Sequence, residues 1–110
     1  MSLFAALRLP REILFGKSQR HALPTVASRF GRRALVCTDE RFAGTAVFAE
    51  IVKSLQAASM EVLAHDRVLP DVPRDTVSIC VDEAKGFRPE MVIGIGGGSC
   101  LDFAKCAALL

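Results

Sequence analysis

Residues Ile93 to Lys105 read I-G-I-G-G-G-S-C-L-D-F-A-K, and no other stretch limits the possible folds so sharply. The apolar run Met91 to Ile95 has the composition of a buried strand. It breaks at Gly96-Gly97-Gly98, and Ser99 opens an apolar segment of helical composition. A strand that turns through glycines into a helix presents bare backbone N–H groups at the positive end of a helix dipole, which suits a phosphate or pyrophosphate. Glycine serves there because a Cβ would hold the anion off the backbone, and because such turns often need φ above zero. The feature implies nucleotide phosphate binding, with a dinucleotide as the first choice. Glycine clusters also occur in plain turns, so a purely structural reading stands beside it. A membrane span over Met91 to Leu110 is disfavoured, because Gly94, Gly96 to Gly98, Asp102 and Lys105 make insertion expensive.

The rest of the chain alternates strands and helices. A short strand is expected at Glu12 to Phe15, then a helix over Ser18 to Phe30 that Gly31 stops. A strand at Ala34 to Thr38 precedes a helix over Ala46 to Ser59, in which Val47, Ile51, Leu55 and Ala58 keep a 3.6-residue period. A strand at Glu61 to Ala64, a polar loop through Pro70 and a helix over Arg74 to Gly86 lead to the glycine strand and the terminal helix. Apolar Val/Ile-rich strands alternating with helices imply an α/β fold: a Rossmann-like, doubly wound parallel sheet covered on both faces. Ligands of such sheets sit outside the carboxyl ends of the strands.

At 110 residues the chain is one domain at most. The sequence stops at Leu109-Leu110 inside an expected helix without a stop signal, and that helix, Cys100 to Leu110, is apolar on nearly every side. Residues 1–110 therefore read as the N-terminal, dinucleotide-binding part of a larger protein. Hydrophobic residues make up 51% and the net charge is only +2, which excludes a disordered chain. Met1 to Pro10 lacks the basic head and core of a signal peptide, so a cytoplasmic location is expected. The basic cluster Arg29, Arg32 and Arg33 reads as a solvated helix end, and no basic stripe with interleaved aromatics points to nucleic acid. The 4 cysteines, Cys37, Cys80, Cys100 and Cys106, form no C-x-x-C pair and read as buried and reduced. Cys100, at a helix N-terminus beside the glycine loop, is where a dipole would lower a thiol pKa. His21 and His65 read as polar tips of a helix and a strand end rather than metal ligands.

The glycine loop is neither the common dinucleotide fingerprint, since Ser99 replaces the third glycine, nor a Walker A loop. Gly96-Gly97-Gly98-Ser99-x-x-Asp102-x-Ala104-Lys105 resembles the G-G-G-S-x-x-D-x-A-K signature of the iron-containing (group III) alcohol dehydrogenases. Arg11 to Gly16 is similar to the short strand ending in Phe-Gly that opens that family's first domain. Arg33 to Asp39 is similar to its first core strand ending in Thr-Asp, and Val68 to Val77 to the loop and helix start before the glycine strand. Asp71 departs from the pattern, standing where many members carry Asn before Pro.

The resemblance implies an NAD- and metal-dependent enzyme that oxidises a small alcohol to an aldehyde or ketone, on a dehydroquinate synthase-like fold. It implies cofactor contacts from Gly96, Gly97, Gly98 and Ser99, a ribose contact from Asp39, and Asp102 on the nicotinamide side with Lys105 supporting the loop. An acidic side chain at a strand end accepts from both ribose hydroxyls and repels a 2′-phosphate, so Asp39 favours NAD over NADP. Asp39 as the N-cap of Glu40 to Phe42 is the structural alternative. Asp102 and Lys105, three apart, are also placed for an ordinary surface ion pair. The implied Fe²⁺ or Zn²⁺ has its ligands beyond Leu110, so neither a metal ligand nor a catalytic residue is assigned here, and the chain alone is expected to be inactive. Homo-oligomerisation, as a dimer through Arg11 to Phe15, is implied as well. A dehydroquinate synthase-like lyase, a maleylacetate reductase-like enzyme and a stand-alone nucleotide-binding module are the other readings.

Overall fold

The computed structural model describes residue 14 and residues 18–109. The expected strand and dimer contact between Arg11 and Phe15 therefore lie outside the described residues, apart from Leu14.

Among the described residues a parallel sheet of three strands forms the centre, in the order β2-β1-β3. Strand β1 is Arg33–Cys37, β2 is Glu61–His65 and β3 is Met91–Gly94. Alternation along β1 divides the core. Ala34 and Val36 face one layer with Phe48, Ile51 and Leu55, while Leu35 and Cys37 face the other with Val77, Cys80 and Phe103. Helices therefore cover both faces, as expected of strands whose side chains are apolar on both sides.

The helices are α1 (Leu23–Ala27), α2 (Glu40–Ala43), α3 (Ala46–Ala57), α4 (Arg74–Ala84) and α5 (Gly98–Leu109). The single helix expected over Ser18 to Phe30 is instead a 3₁₀ turn, Gln19–Ala22, followed by α1. Pro24 in the first turn of α1 explains the break, because it lacks the N–H that a continuous helix would need. In α3 the buried stripe is Phe48, Ile51 and Leu55, and Val47 lies on its flank, 37% exposed. Ala58, expected within the helix, caps it instead.

Terminal helix α5 is covered on one side only. Cys100, Phe103, Ala104 and Ala107 are buried, whereas Leu101 and Leu109 are 46% and 86% exposed. Burial on nearly every side is thus not provided by the described residues. No helix among them is long and apolar enough to cross a membrane.

Candidate nucleotide site

Register brings the two distant motifs together. Cys37 of β1 pairs with Gly94 of β3, and the Ile95 amide donates to the Cys37 carbonyl over 3.0 Å. Two residues on, Asp39 and Gly96 stand side by side past the strand ends. The connection from β1 leads to a neighbour on one side, β2, and the chain then crosses to the other side, β3. That reversal of strand order is a topological switch point, where open α/β sheets leave a crevice for ligands.

The crevice is real. A cavity of about 250 Å³ is lined by Asp39, Val68, Leu69, Pro70 and the turn Gly97 to Cys100. A second hollow of about 340 Å³ lies on the far side of Asp39 and Gly97 and takes in Arg41, Phe42 and Thr45. Asp39 borders both, at a position from which one carboxylate can serve a ligand spanning the two.

Asp39 also caps a helix. Its Oδ1 accepts from the Phe42 amide at 2.7 Å, which satisfies a donor at the start of α2. The structural and ligand roles proposed for this residue are compatible, because the cap occupies Oδ1 and Oδ2 turns to the cleft side, 3.8 Å from Cys100 Sγ.

The glycines of the loop divide into two kinds. A Cβ at Gly94 would fall 2.8 Å from Ala104 Cβ and 3.0 Å from the Cys100 carbonyl, so α5 can lie this close to β3 only with glycine there. Gly96 adopts φ 133°, and a Cβ on it would meet Cys100 Sγ at 2.8 Å. At Gly97 and Gly98 a Cβ would meet nothing within 4 Å. Their backbone is bare toward the cleft, which is what close approach of a phosphate requires. Cys100 and Leu101 donate back to the Gly97 carbonyl at 3.1 and 3.2 Å, leaving the amides of Gly98 and Ser99 as the helix-end donors. These residues fit a dinucleotide, with a donor cradle for phosphate and an acceptor at the rim for ribose hydroxyls.

Other expectations met a different outcome. Asp102 and Lys105 are exposed on α5 and line neither hollow, and no ion pair joins them among the described residues. Solvation of both ends removes the incentive to pair. The Cys100 thiol is pushed up, not down: burial acts first, and the Asp39 carboxylate adds to it. Cys106 is exposed, although all 4 cysteines are free thiols. His65 is not a polar tip. It is 7% exposed, its ring stacks on Phe103 at 5.0 Å, and neither ring nitrogen has a hydrogen-bond partner. Near it the Cys37 thiol is pushed up by its hydrogen bond with Cys80 and by burial, while the same bond and His65 draw Cys80 down. Arg33 is no solvated helix end either: its Nε donates to the Arg88 carbonyl at 2.8 Å.

Two features of the site escaped sequence reasoning. Arg41 had no motif to mark it, and only the capped turn of α2 brings it to the hollow. Asp71 and Val72 adopt φ of 63° and 44° in the loop beyond Pro70. The left-handed region is one that Asn and Asp tolerate, which gives the Asn-to-Asp variation at position 71 a backbone reason.

Residues 10–110 match the family model of iron-containing alcohol dehydrogenase. Sulfoacetaldehyde reductase of Bilophila wadsworthia is 32% identical over 91 residues, 83% of this chain and 24% of that protein. Long-chain-alcohol dehydrogenase 1 of Geobacillus thermodenitrificans is 32% identical over 88 residues, 80% of this chain and 22% of its own length. The chain thus spans about a quarter of the curated relatives it matches. The crystal structure of NADH-dependent butanol dehydrogenase A from Thermotoga maritima superposes with a TM-score of 0.82 at 27% identity, covering 92% of this chain and 26% of that one.

Proposed function

The chain belongs to the iron-containing alcohol dehydrogenase family, and from that premise we propose that it supplies the cofactor-binding part of an NAD-dependent dehydrogenase. The reaction is the interconversion of a small alcohol with its aldehyde or ketone. The observation that carries the reading is the juxtaposition of Asp39 with the bare Gly97-Gly98 backbone at the switch point. The helix-end amides of Gly98 and Ser99 hold the pyrophosphate, and Asp39 accepts from the adenosine ribose hydroxyls while its charge repels a 2′-phosphate. Bound NAD supplies the hydride acceptor, and the protein supplies its orientation. Val68, Leu69 and Pro70 wall the cleft and shield the cofactor from water. Asp102 lines neither hollow, and its place on the nicotinamide side rests on the family resemblance alone.

The implied metal, Fe²⁺ or Zn²⁺, would bind the alcohol oxygen as a Lewis acid. Among the described residues no cluster of three or more His, Cys, Asp or Glu is placed to hold one. We assign its ligands to residues outside this chain, and with them the alcohol specificity. A dimer and a cytoplasmic location complete the proposal; the free cysteines support a reducing compartment.

Titration calorimetry with NAD and NADP tests the cofactor assignment. NAD is expected to bind at least about tenfold more tightly than NADP, a difference near 1.4 kcal/mol. Asp39→Asn should narrow that gap by weakening NAD and relieving the repulsion of NADP. Equal affinities in the unaltered protein, or no binding of either nucleotide, would overturn the reading.

A further inference from the structure

Cys100 joins the two halves of the cleft. Its Sγ lies 3.8 Å from Asp39 Oδ2, and the same sulfur fills the space that a Cβ on Gly96 would occupy, 2.8 Å away. The side chain is 2% exposed, yet it forms part of the cavity wall beside Gly97, Gly98 and Ser99. The other carboxylate oxygen of Asp39 is already taken by the Phe42 amide at 2.7 Å. With one oxygen held from each side, the carboxylate has no freedom to swing about χ2. A thiol is a weak donor, but a carboxylate is a strong acceptor, and burial keeps competing water away.

We infer that Cys100 is a positioning residue for cofactor recognition: its S–H donates to Asp39 Oδ2 and fixes the carboxylate in the orientation that meets a ribose diol. The inference rests on Asp39 being the ribose acceptor, as proposed above. It adds a reason for cofactor preference. Arg41 lines the same hollow as Asp39, so a carboxylate freed from the thiol would leave a cation there suited to a 2′-phosphate. The thiol that braces the acid therefore sharpens discrimination against NADP. Gly96 is part of the device, since any Cβ there would displace the sulfur.

Cys100→Ala, Cys100→Ser and Asp39→Asn, each made in the intact protein, separate the possibilities. Calorimetry should show the NAD dissociation constant of Cys100→Ala raised about three- to tenfold, the range expected for one lost hydrogen bond of ordinary strength, since the thiol is a weak donor. The NAD-to-NADP preference should fall with it, and Cys100→Ser, which keeps a donor, should recover both. A change of less than about twofold in Cys100→Ala, or no recovery in Cys100→Ser, overturns the inference while the Asp39 reading stands, provided Asp39→Asn alters the preference. Asp39→Asn without effect on either nucleotide overturns both. The infrared S–H stretch of the unaltered protein gives an answer that needs no folded Cys100→Ala. A band lowered by hydrogen bonding that rises in Asp39→Asn supports the contact, and a band indifferent to Asp39→Asn refutes it.

Discussion

Thr38 donates its hydroxyl proton to the Ile95 carbonyl over 2.9 Å, tying the end of β1 to the end of β3. Its amide donates to the His65 carbonyl at 2.9 Å and its carbonyl accepts from Val68 at 3.2 Å. One fully buried residue thus secures β2, β3 and the cleft wall just before Asp39. Thr38→Val keeps the shape and removes the donor. It should cost about 1–2 kcal/mol in urea unfolding, because the part-buried Ile95 carbonyl loses its partner. NAD affinity should fall too, whereas Thr38→Ser should behave nearly as the parent.

The glycines of the loop should separate stability from binding. Gly94→Ala drives a methyl group against Ala104 and should destabilise by about 1–3 kcal/mol, the cost of overpacking. Gly97→Ala meets open space within the protein, so its melting temperature should stay within about 2 °C of the parent. The same methyl group projects where a phosphate would sit, and NAD affinity should drop at least about tenfold. Paired thermal melts and nucleotide titrations of the two variants check this.

Among the described residues Phe103 is the largest fully buried side chain, and it stacks on His65 with ring planes 11° apart. Phe103→Ala should cost about 3–5 kcal/mol by equilibrium unfolding, the range for emptying an aromatic site in a core. His65→Leu, by contrast, should be close to neutral or stabilising, since the ring nitrogens make no hydrogen bond that would be lost.

Glu90 should mark the acid limb of stability. Its carboxylate accepts from the amides of Arg32 and Arg33 at 2.8 and 3.2 Å, and these bonds hold its pKa below the usual carboxylate range. A depressed folded-state pKa contributes stability above the unfolded value, about 4.3, and that contribution is lost as pH falls through the folded-state pKa. Glu90→Gln should be less stable than the parent near neutral pH, and the two should converge as pH falls below about 4. Chemical denaturation across that range measures the convergence.

Much of the fold was legible because its signals are local. The Val- and Ile-rich runs and the Ile51 and Leu55 spacing each depend on a few neighbouring residues, whereas the helix expected to stop at Gly31 ends earlier, at Ala27. The cap made by Asp39 is equally local, since its acceptor reaches an amide three residues on. Less visible was the 3₁₀ turn before α1, where Pro24 outweighed an otherwise helical composition. The stripe of α3 shifted from Val47 to Phe48 because the larger ring takes the buried position over Ala34 and Val36.

Local patterns were enough to give the succession of strands and helices along the chain, the glycine turn that ends β3, and an acidic residue at the end of β1. That these two ends meet followed from long-range packing, because strand order within the sheet and register are choices that no local pattern encodes. The same packing turned Cys100 from an expected low-pKa thiol into a buried one facing a carboxylate, and drew His65 into the core against Phe103. A side chain's composition sets what it can do. Its neighbours across the sheet, close in space and distant in sequence, set the dielectric and the partners that decide what it does.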